Sequence, residues 1–289
     1  MVTRMEPGMH HLPDLPDSGG SHDGSDKLGG DDTDPVASWG TALRHTRFGP
    51  FEMVGTTGST NDDLVARAAG PAGDGLVLAT DHQTAGRGRL DRRWDAPEGT
   101  NLTFSTLLRP DWLDDPRPAP DRRGLVTSAL AVSVVEVLMA MGLDAAGKVA
   151  GILAELVTGE RPAIVMGLGL NVGWPPPESA ISGEPVPLGA TSLARAGLAV
   201  HRWWVLVDVL VAFDRQLADL DRPDGPERLR RDHLAVSATV GHRVSVERPS
   251  GNLVGEAVDL TVDGVLVVEP DGGQPVEVHV GDVTHLRAG

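Results

Sequence analysis

The segment Asp81–Trp94 concentrates positive charge in an acidic sequence. Gly86 and Gly88 allow the backbone to approach a ligand closely and to expose its N–H groups. Their arginine neighbours carry planar, permanently charged guanidinium groups, which suit phosphate or carboxylate. Four of them fall within seven residues: Arg87, Arg89, Arg92 and Arg93. The segment therefore predicts an anion-binding loop, and composition alone leaves a solvated basic turn open as the alternative.

Lysine is almost absent from the chain, since only two of the 25 basic residues are lysines, Lys27 and Lys148. Arginine serves wherever a plain positive charge is sufficient. A lysine in the body of the protein suggests a need for a compact ammonium with three donors, which arginine cannot supply. Lys148 is therefore a candidate for chemistry, against the alternative of an ordinary surface lysine.

Composition excludes several function classes. The sequence has 289 residues, no Cys and a formal net charge of −16. The absence of Cys rules out disulfides, a thiol nucleophile and thiolate metal sites, and no spacing of other ligands indicates a metal site. The acidic balance argues against a nucleic-acid partner. Neither a G-x-x-x-x-G-K-[ST] phosphate loop nor a G-x-G-x-x-G fingerprint occurs.

The most apolar window is Leu125–Leu143, which approaches the length of a membrane span. Glu136 lies in its middle, and a carboxylate inside a bilayer is costly, so the window predicts a buried helix. The first residues contain no apolar stretch that could serve as a signal peptide. We expect a soluble, cytoplasmic protein with no membrane partner.

The elements that must position these residues alternate between strands and helices. Ser59 precedes an acidic run and predicts a helix start, and the turn Thr158–Arg161 separates two apolar runs that predict a hairpin. Strands are predicted at 51–55, 76–80, 101–108, 149–157 and 163–172, and helices at 62–69, 125–143 and 201–220.

The chain divides into three predicted regions. Residues 1–40 hold eight acidic and two basic residues with seven Gly and four Pro, which predicts a disordered acidic tail. Residues 41–235 form a mixed α/β domain. Residues 236–289 contain short period-two runs separated by turn dipeptides, which predict a small β barrel. The predicted fold class is α/β (α+β).

Five motifs with residue types suited to ligand binding occur in one order. They are Thr57–Asn61 (TGSTN), Gln83–Arg89 (QTAGRGR), Trp94 with Pro97–Ser105 (PEGTNLTFS), Lys148–Glu155 (KVAGILAE) and Gly167–Val172 (GLGLNV). In this order they resemble the biotin protein ligase family, in its short form without an N-terminal DNA-binding domain. Thr191–Leu193 and the terminal β module extend the match to roughly residues 50–287. The resemblance implies a mixed-sheet catalytic domain of the biotin/lipoate ligase type and an SH3-like barrel.

The resemblance also implies roles for the matching residues. Those expected to hold biotin are Ser59, Thr60, Asn61, Gln83, Arg87, Gly88, Arg89 and Lys148. Those expected to act in catalysis, facing the reacting carboxylate and phosphate, are Arg87, Arg89 and Lys148. Those expected near the nucleotide are Arg89, Trp94 and Asn171. For Ser59–Asn61 a helix cap, and for Asn171 a turn after a strand, are the alternative interpretations.

The implied reaction is ATP-dependent biotinylation. Biotin and ATP would form biotinyl-5'-AMP with Mg²⁺ on the phosphates, and a lysine of a biotin carboxyl-carrier domain of an acyl-CoA carboxylase would then accept biotin. Arg and Lys around two anions would reduce their repulsion. A Gly-rich loop over the adenylate would exclude water. Family members also form homodimers at a sheet edge, so a homodimer is an open expectation.

One family segment is missing from this sequence. Members carry Lys-Trp-Pro-Asn-Asp between the long helix and the Lys-Val-Ala-Gly strand, whereas here Gly142–Gly147 runs directly into Lys148. The missing residues amount to one strand with its turn, and their loss predicts an unpaired sheet edge or a register shift. A weakened or inactive homologue that binds biotin or the carrier, a sequence error, and compensation by another acid such as Asp144 all stay open.

Two related functions fit less well. A ligase that doubles as a biotin repressor needs a helix-turn-helix before the catalytic domain, and the acidic, Pro/Gly-rich residues 1–40 do not predict one. A lipoate ligase shares the implied fold but differs in its motifs. An ATP-dependent biotin ligase is therefore the leading interpretation.

Overall fold

The computed structural model describes residues 35–88, 92–113, 122–143, 147–177, 186, 189–248, 250–279 and 282–285. Most of the predicted acidic tail and of the proline-rich segment 175–187 lies outside these residues. Two single residues of interest, Arg89 and Asp144, lie outside them as well.

A five-stranded mixed sheet with the order β1-β2-β3-β5-β4 forms the larger part of the molecule. Its strands are β1 (Phe51–Thr57), β2 (Val77–Gln83), β3 (Leu102–Leu108), β4 (Ala150–Val157) and β5 (Ala163–Leu170). β1 and β2 are parallel, and the other neighbours are antiparallel. Within the described residues β4 is an edge strand, as the missing segment predicts, and its pairing with β5 runs without a register shift.

Helices pack on both faces of this sheet. They are α1 (Pro35–Leu43), α2 (Thr60–Ala68), α3 (Arg123–Ala140), α4 (Arg202–Leu220) and α5 (Gly225–Val236), with a short 3-10 helix at Asp111–Leu113. α3 and α4 bury apolar side chains at helical spacing against the first face, among them Leu130, Leu206 and Leu210. α2 packs Leu64 and Ala68 on the opposite face.

Strand alternation determines which residues share the face under α2. Leu107 of β3 and Val165 of β5 pack against α2, and successive side chains of a strand point to opposite faces. Residues 103 and 105 of β3, 167 and 169 of β5, and 151 of β4 therefore lie on this same face, beyond the end of α2. These positions are occupied by Thr, Ser and three Gly, so this part of the face carries small side chains and leaves room for other side chains to pack on the strand backbone.

The C-terminal module is a second sheet, with the order β10-β6-β7-β8-β9 and antiparallel neighbours throughout. Its strands are β6 (Arg243–Glu247), β7 (Leu253–Leu260), β8 (Leu266–Pro270), β9 (Val276–Val278) and β10 (Asp282–His285). Alternate residues such as Val244, Val246 and Val268 build a small separate core. Arg230 of α5 fixes the module to the larger domain by donating to the Asp259 carboxylate at 2.7 Å and to the Leu260 carbonyl at 2.6 Å.

The architecture confirms the predicted mixed α/β fold followed by a small β module, and two helices differ from the prediction. Residues 35–40 belong to α1 rather than to a disordered tail, because Trp39 is only 2% exposed and contacts Phe51 and Trp203. The sequence pattern also fails to predict α5, since its polar run buries little, although Pro226 near its start is a helix-start signal. None of the helices that the structure describes combines the length and the apolar composition that a bilayer-spanning segment requires.

Candidate active site

A strip of glycines forms the floor of the candidate site. Gly167 and Gly169 of β5 alternate with core leucines, and Gly151 of β4 pairs directly with Gly169. A Cβ atom on Gly167 would lie 2.2 Å from Oδ1 of Asn61, and one on Gly169 would lie 2.3 Å from Cε2 of Trp94. A side chain at either position would displace Asn61 or Trp94, because both of these side chains pack directly on the strand backbone.

The Ser-Thr-Asn segment lies at the N-terminus of α2, beside this floor. The Ser59 hydroxyl accepts a hydrogen bond from the backbone N–H of Asp62 at 3.4 Å, so Ser59 acts as the helix cap. The backbone N–H of Thr60 donates to Oε1 of Gln83 at 2.8 Å. Thr60 and Asn61 are both buried. The cap and Gln83 thus hold two buried polar side chains at the edge of the floor.

The hydroxyl groups of this region form a chain of hydrogen bonds with one direction. Ser105 of β3 is fully buried and donates to Oδ1 of Asn61 at 2.6 Å. A serine has one hydroxyl proton, so Thr60 must be the donor in its 2.7 Å contact with the Ser105 oxygen. The chain ends on the carbonyl oxygen of Asn61, which leaves the Nδ2 group of Asn61 to donate elsewhere.

Glu155 of β4 connects this chain to the glycine–arginine loop. Nδ2 of Asn61 donates to Oε2 of Glu155 at 2.8 Å. Nη2 of Arg87 donates to the two oxygens of Glu155 at 2.9 and 3.0 Å and also contacts the Asp62 carboxylate. The hydrogen bond with Glu155 is the main factor that raises the pKa of Arg87 above its ordinary value, so the guanidinium stays charged.

The glycine–arginine loop is paired across its base. Arg87 and Arg93 form a β-bridge, and the N–H of Gly88 donates to the carbonyl of Arg92 at 2.6 Å. The N–H of Trp94 donates to the carbonyl of Gly86 at 3.0 Å, and a Cβ on Gly86 would lie 2.3 Å from the Trp94 carbonyl oxygen. The base of the loop thus needs Gly86, and it brings Trp94 back onto the glycine floor.

Trp94 and Lys148 meet above Gly151. From a Cβ on this glycine, Cζ3 of Trp94 would lie at 3.2 Å and Cε of Lys148 at 3.9 Å. Nε1 of Trp94 is buried and donates to no group in the described part of the protein. Buried indole N–H groups normally have a partner, so this donor suits the polar atoms of a bound ligand.

Two buried asparagines fix the backbone that carries Lys148. Nδ2 of Asn171 donates to the carbonyl of Lys148 at 3.3 Å and to that of Thr191 at 2.9 Å. Oδ1 of Asn171 accepts from Nδ2 of Asn101 at 3.1 Å. Oδ1 of Asn101 in turn accepts the backbone N–H groups of Val172 and Trp174, both at 3.0 Å. Both amide protons of Asn171 are therefore used inside the protein, and a ligand could reach only a lone pair of its Oδ1.

The structure brings most of the predicted site residues to one face of the sheet. Ser59, Thr60, Asn61, Gln83, Arg87 and Gly88 lie on one side of the glycine floor, and Trp94, Lys148 and Asn171 lie on the other. Arg89 falls outside the described residues. The roles of all ten residues in binding and catalysis stay predictions.

The residue roles inferred from the sequence omit three members of this site. They are Ser105, Glu155 and Asn101, each of which lies inside one of the quoted motifs. The period-two alternation of strands could have indicated Ser105 and Glu155. Ser105 points to the same sheet face as Leu107, and Glu155 points to the same face as Gly151. A polar side chain on the face of a strand that packs inward points into a site or a buried network.

Comparisons with known proteins agree with the fold and the motifs. A model of the biotin protein ligase C-terminal domain matches residues 239–286, which identifies the β module as the SH3-like domain. The chain is 38% identical over 252 residues to biotin–[acetyl-CoA-carboxylase] ligase of Mycobacterium tuberculosis, covering 82% of this chain and 89% of that protein. It is 26% identical over 235 residues to the bifunctional ligase/repressor BirA of Bacillus subtilis, covering 77% and 69%.

A solved structure supports the same architecture. The chain superposes on the biotin protein ligase from Aquifex aeolicus in complex with biotin and ATP with a TM-score of 0.64 and 23% sequence identity. The match covers 83% of this chain and 100% of the other. At this identity the superposition shows a shared fold.

Proposed function

Since this chain belongs to the biotin protein ligase family, we propose that it uses ATP to form biotinyl-5'-AMP and transfers biotin to a lysine of a carrier protein. The observation that carries the proposal is the convergence of Asn61, Arg87, Trp94 and Lys148 around one glycine floor. A biotin carboxyl-carrier domain of an acyl-CoA carboxylase is the proposed acceptor, because the 38% identical relative is named for acetyl-CoA carboxylase.

Biotin binds, in this proposal, over the glycine floor beside Ser59, Thr60, Asn61 and Gln83. These residues supply hydroxyl and amide groups that are already fixed by the helix cap and by the chain through Ser105. A site of fixed polar groups on a floor without side chains suits an uncharged ring system that needs hydrogen bonds, such as the ureido ring of biotin. The carboxylate arm then extends toward the cationic side of the site.

The first chemical step joins two anions. The biotin carboxylate attacks the α-phosphate of ATP, the bond to the β-phosphate oxygen breaks, and pyrophosphate leaves. Arg87, Arg89 and Lys148 provide positive charge near both groups, which reduces their repulsion and stabilises charge that develops during the step. Trp94 and Asn171 lie near the nucleotide in this proposal. The carrier lysine amine then attacks the biotin carbonyl of the mixed anhydride, an amide forms, and AMP leaves.

In this proposal Mg²⁺ binds together with ATP. The described residues contain no group of three or more Asp, Glu or His side chains that could hold a metal by themselves. Mg²⁺ at nucleotide sites usually needs one or two carboxylates and takes its other ligands from phosphate and water. Its contribution when bound would be to screen the phosphate charge.

The deciding experiment is biotin-dependent exchange of labelled pyrophosphate into ATP with the purified chain, followed by biotin transfer to a carrier domain. We expect both reactions to depend on biotin and ATP. Lipoate in place of biotin is the matched substrate control and should support neither reaction. Biotin binding without any exchange would remove the catalytic part of the proposal.

A second candidate is a homologue that binds biotin or the carrier and has impaired catalysis. The observation that favours it is the short connection between α3, which ends at Ala140, and β4, which begins at Ala150. This connection replaces a family motif and leaves β4 at the edge of the sheet among the described residues. Normal biotin affinity with exchange far below that of an intact relative would support this candidate.

The same proposal includes the organisation of the chain. Residues 41–235, extended by α1 to about residue 35, form the ligase domain, and residues 236–289 form the C-terminal module. A cytoplasmic location is proposed with it, because ATP and carboxylase carrier domains are required in the same compartment.

A further inference from the structure

Glu155 is a side chain of the candidate site that contacts both the Ser-Thr-Asn segment and the glycine–arginine loop. It lies on edge strand β4, and its side chain is 26% exposed. Oε2 accepts from Asn61 at 2.8 Å, and both oxygens accept from Arg87 at 2.9 and 3.0 Å. One carboxylate thus joins a buried amide to a half-exposed guanidinium.

The charge of Glu155 fixes the orientation of the Asn61 amide. A carboxylate only accepts hydrogen bonds, so Asn61 must present Nδ2 to Glu155 and Oδ1 to Ser105. The space over Gly167 holds this oxygen, because a Cβ there would lie 2.2 Å from Oδ1. A neutral glutamine at position 155 could present either an oxygen or an amide, so that only the weaker 3.4 Å hydrogen bond from Nδ2 to the Leu153 carbonyl would still orient Asn61 from that side.

The same carboxylate holds Arg87 by one corner of its guanidinium. Nη2 carries two hydrogens, and the contacts with Glu155 and Asp62 both go to this nitrogen. The Nε and Nη1 donors lie outside these carboxylate contacts, and they form the edge that suits an anionic group. A side chain that is already held in place loses less conformational entropy when a ligand binds.

We propose that Glu155 is a positioning residue, which orients the Asn61 amide and holds Arg87 ready for the anionic end of the substrate. The inference rests on the proposed function in taking Asn61 and Arg87 as contacts of biotin. Because the Glu155–Arg87 pair is partly exposed, salt weakens it. Glu155 therefore acts mainly on substrate affinity and contributes little to stability.

The test compares Glu155→Gln with the matched control Glu160→Gln, which changes an exposed carboxylate in the turn after β4. In pyrophosphate exchange, Glu155→Gln should raise the KM for biotin about tenfold, as expected for a lost hydrogen bond to a charged group, and should change kcat less than about threefold. Its melting temperature should stay within about 2 °C of the parent. Backbone amides of residues 84–88 should exchange with deuterium faster, and 0.5 M NaCl should raise the KM of the parent more than that of the variant.

A KM for biotin in Glu155→Gln within about twofold of the Glu160→Gln value would overturn the inference. So would a fall in melting temperature with both kinetic constants unchanged, since that result describes a purely structural residue. If the parent chain neither binds biotin nor exchanges pyrophosphate, the proposed function fails by itself. Deuterium exchange then still decides this inference: faster exchange at 84–88 in Glu155→Gln supports it, and equal exchange in the two variants rejects it.

Discussion

Two hydrogen-bond networks flank the glycine floor, and they are built from different chemistry. On the Ser59 side the network ends in ions, with Arg87 held by Asp62 and Glu155 at side-chain exposures of 26–53%. On the Lys148 side the network is neutral and buried, with Asn101 at 3% and Asn171 at 5% exposure. The first network fixes side chains that face the substrate, whereas the second fixes the backbone from which Lys148 extends.

This difference predicts how each side responds to change. Partly exposed ion pairs contribute little to stability and are screened by salt, so the Arg87 side can rearrange when substrate binds. A buried amide is kept away from water, and its hydrogen bonds inside the protein offset that loss. Removing one partner leaves the other unsatisfied, so changes on the Lys148 side should lower stability and the backbone there should be rigid. A ligase site must admit an anion and also hold one ammonium group in a fixed position. It therefore needs one side that can rearrange and one side that is rigid.

The largest effect on activity is expected from removing the ammonium group of Lys148, whose backbone the neutral network holds. Lys148→Ala should lower kcat for pyrophosphate exchange by about 10²–10³-fold, the range for loss of one donor to developing charge. Lys148→Arg is the matched control, because it keeps the charge and changes the geometry. We expect the Arg variant to recover less than about one tenth of the parent rate, and recovery of more than half would show that charge alone is needed.

The next largest effect tests the neutral network through stability. Asn101→Ala removes the acceptor of two backbone N–H groups and the donor to Asn171. Leaving these buried groups unsatisfied should lower the free energy of unfolding by about 3 kcal/mol in total. Urea unfolding would show this loss as a lower midpoint. Asn252→Ala, at an exposed turn, should change stability by less than about 0.5 kcal/mol. Similar midpoints for the two variants would contradict the assigned rigidity of the Lys148 side.

A smaller effect is expected at the floor that separates the networks. Gly169→Ala places a methyl group 2.3 Å from Trp94, and overpacking of this kind costs about 1–3 kcal/mol unless the ring moves. We expect the ring to shift, with altered tryptophan fluorescence and weaker biotin binding. Gly55→Ala is the control, since its Cβ would have no atom within 4 Å. Unchanged fluorescence and affinity in Gly169→Ala would show that Trp94 does not depend on the bare floor.

Sequence reasoning located the polar segments of the site but could not show how they connect. Ser59 was recognisable as a cap from its type and from the acids after it, and the structure shows that bond. Glu155 and Ser105 stand 50 residues apart, and only the antiparallel pairing of β3, β5 and β4 brings them to opposite sides of Asn61. Such a contact depends on strand order, which local patterns do not contain.

The same limit explains the two unpredicted helices. Trp39 follows an acidic, glycine-rich stretch of the sequence, and its burial depends on Phe51 and Trp203 from other parts of the chain. α5 buries mainly Leu229 and is held through Arg230 by the C-terminal module. In both cases the stabilising partners are tertiary, so composition and periodicity underestimate the order of the segment.

The smallest predicted effect concerns the pH dependence of stability and a histidine that lies outside both networks. Burial lowers the pKa of His233 on α5, whose Nδ1 lies 3.2 Å from the Ser128 hydroxyl of α3. The unfolded chain therefore binds a proton at a higher pH than the folded chain does. This contribution to stability is intact above the ordinary histidine pKa and is lost as pH falls toward the lowered value, with a slope of at most about 1.4 kcal/mol per pH unit. His233→Asn should flatten the dependence of the unfolding free energy on pH below about 6.5, and His279→Asn, at an exposed position, is the comparison variant. An acid-side slope that is equal in parent and His233→Asn would assign the pH sensitivity to other groups, such as Glu52 and Asp271, whose pKa an arginine partner lowers.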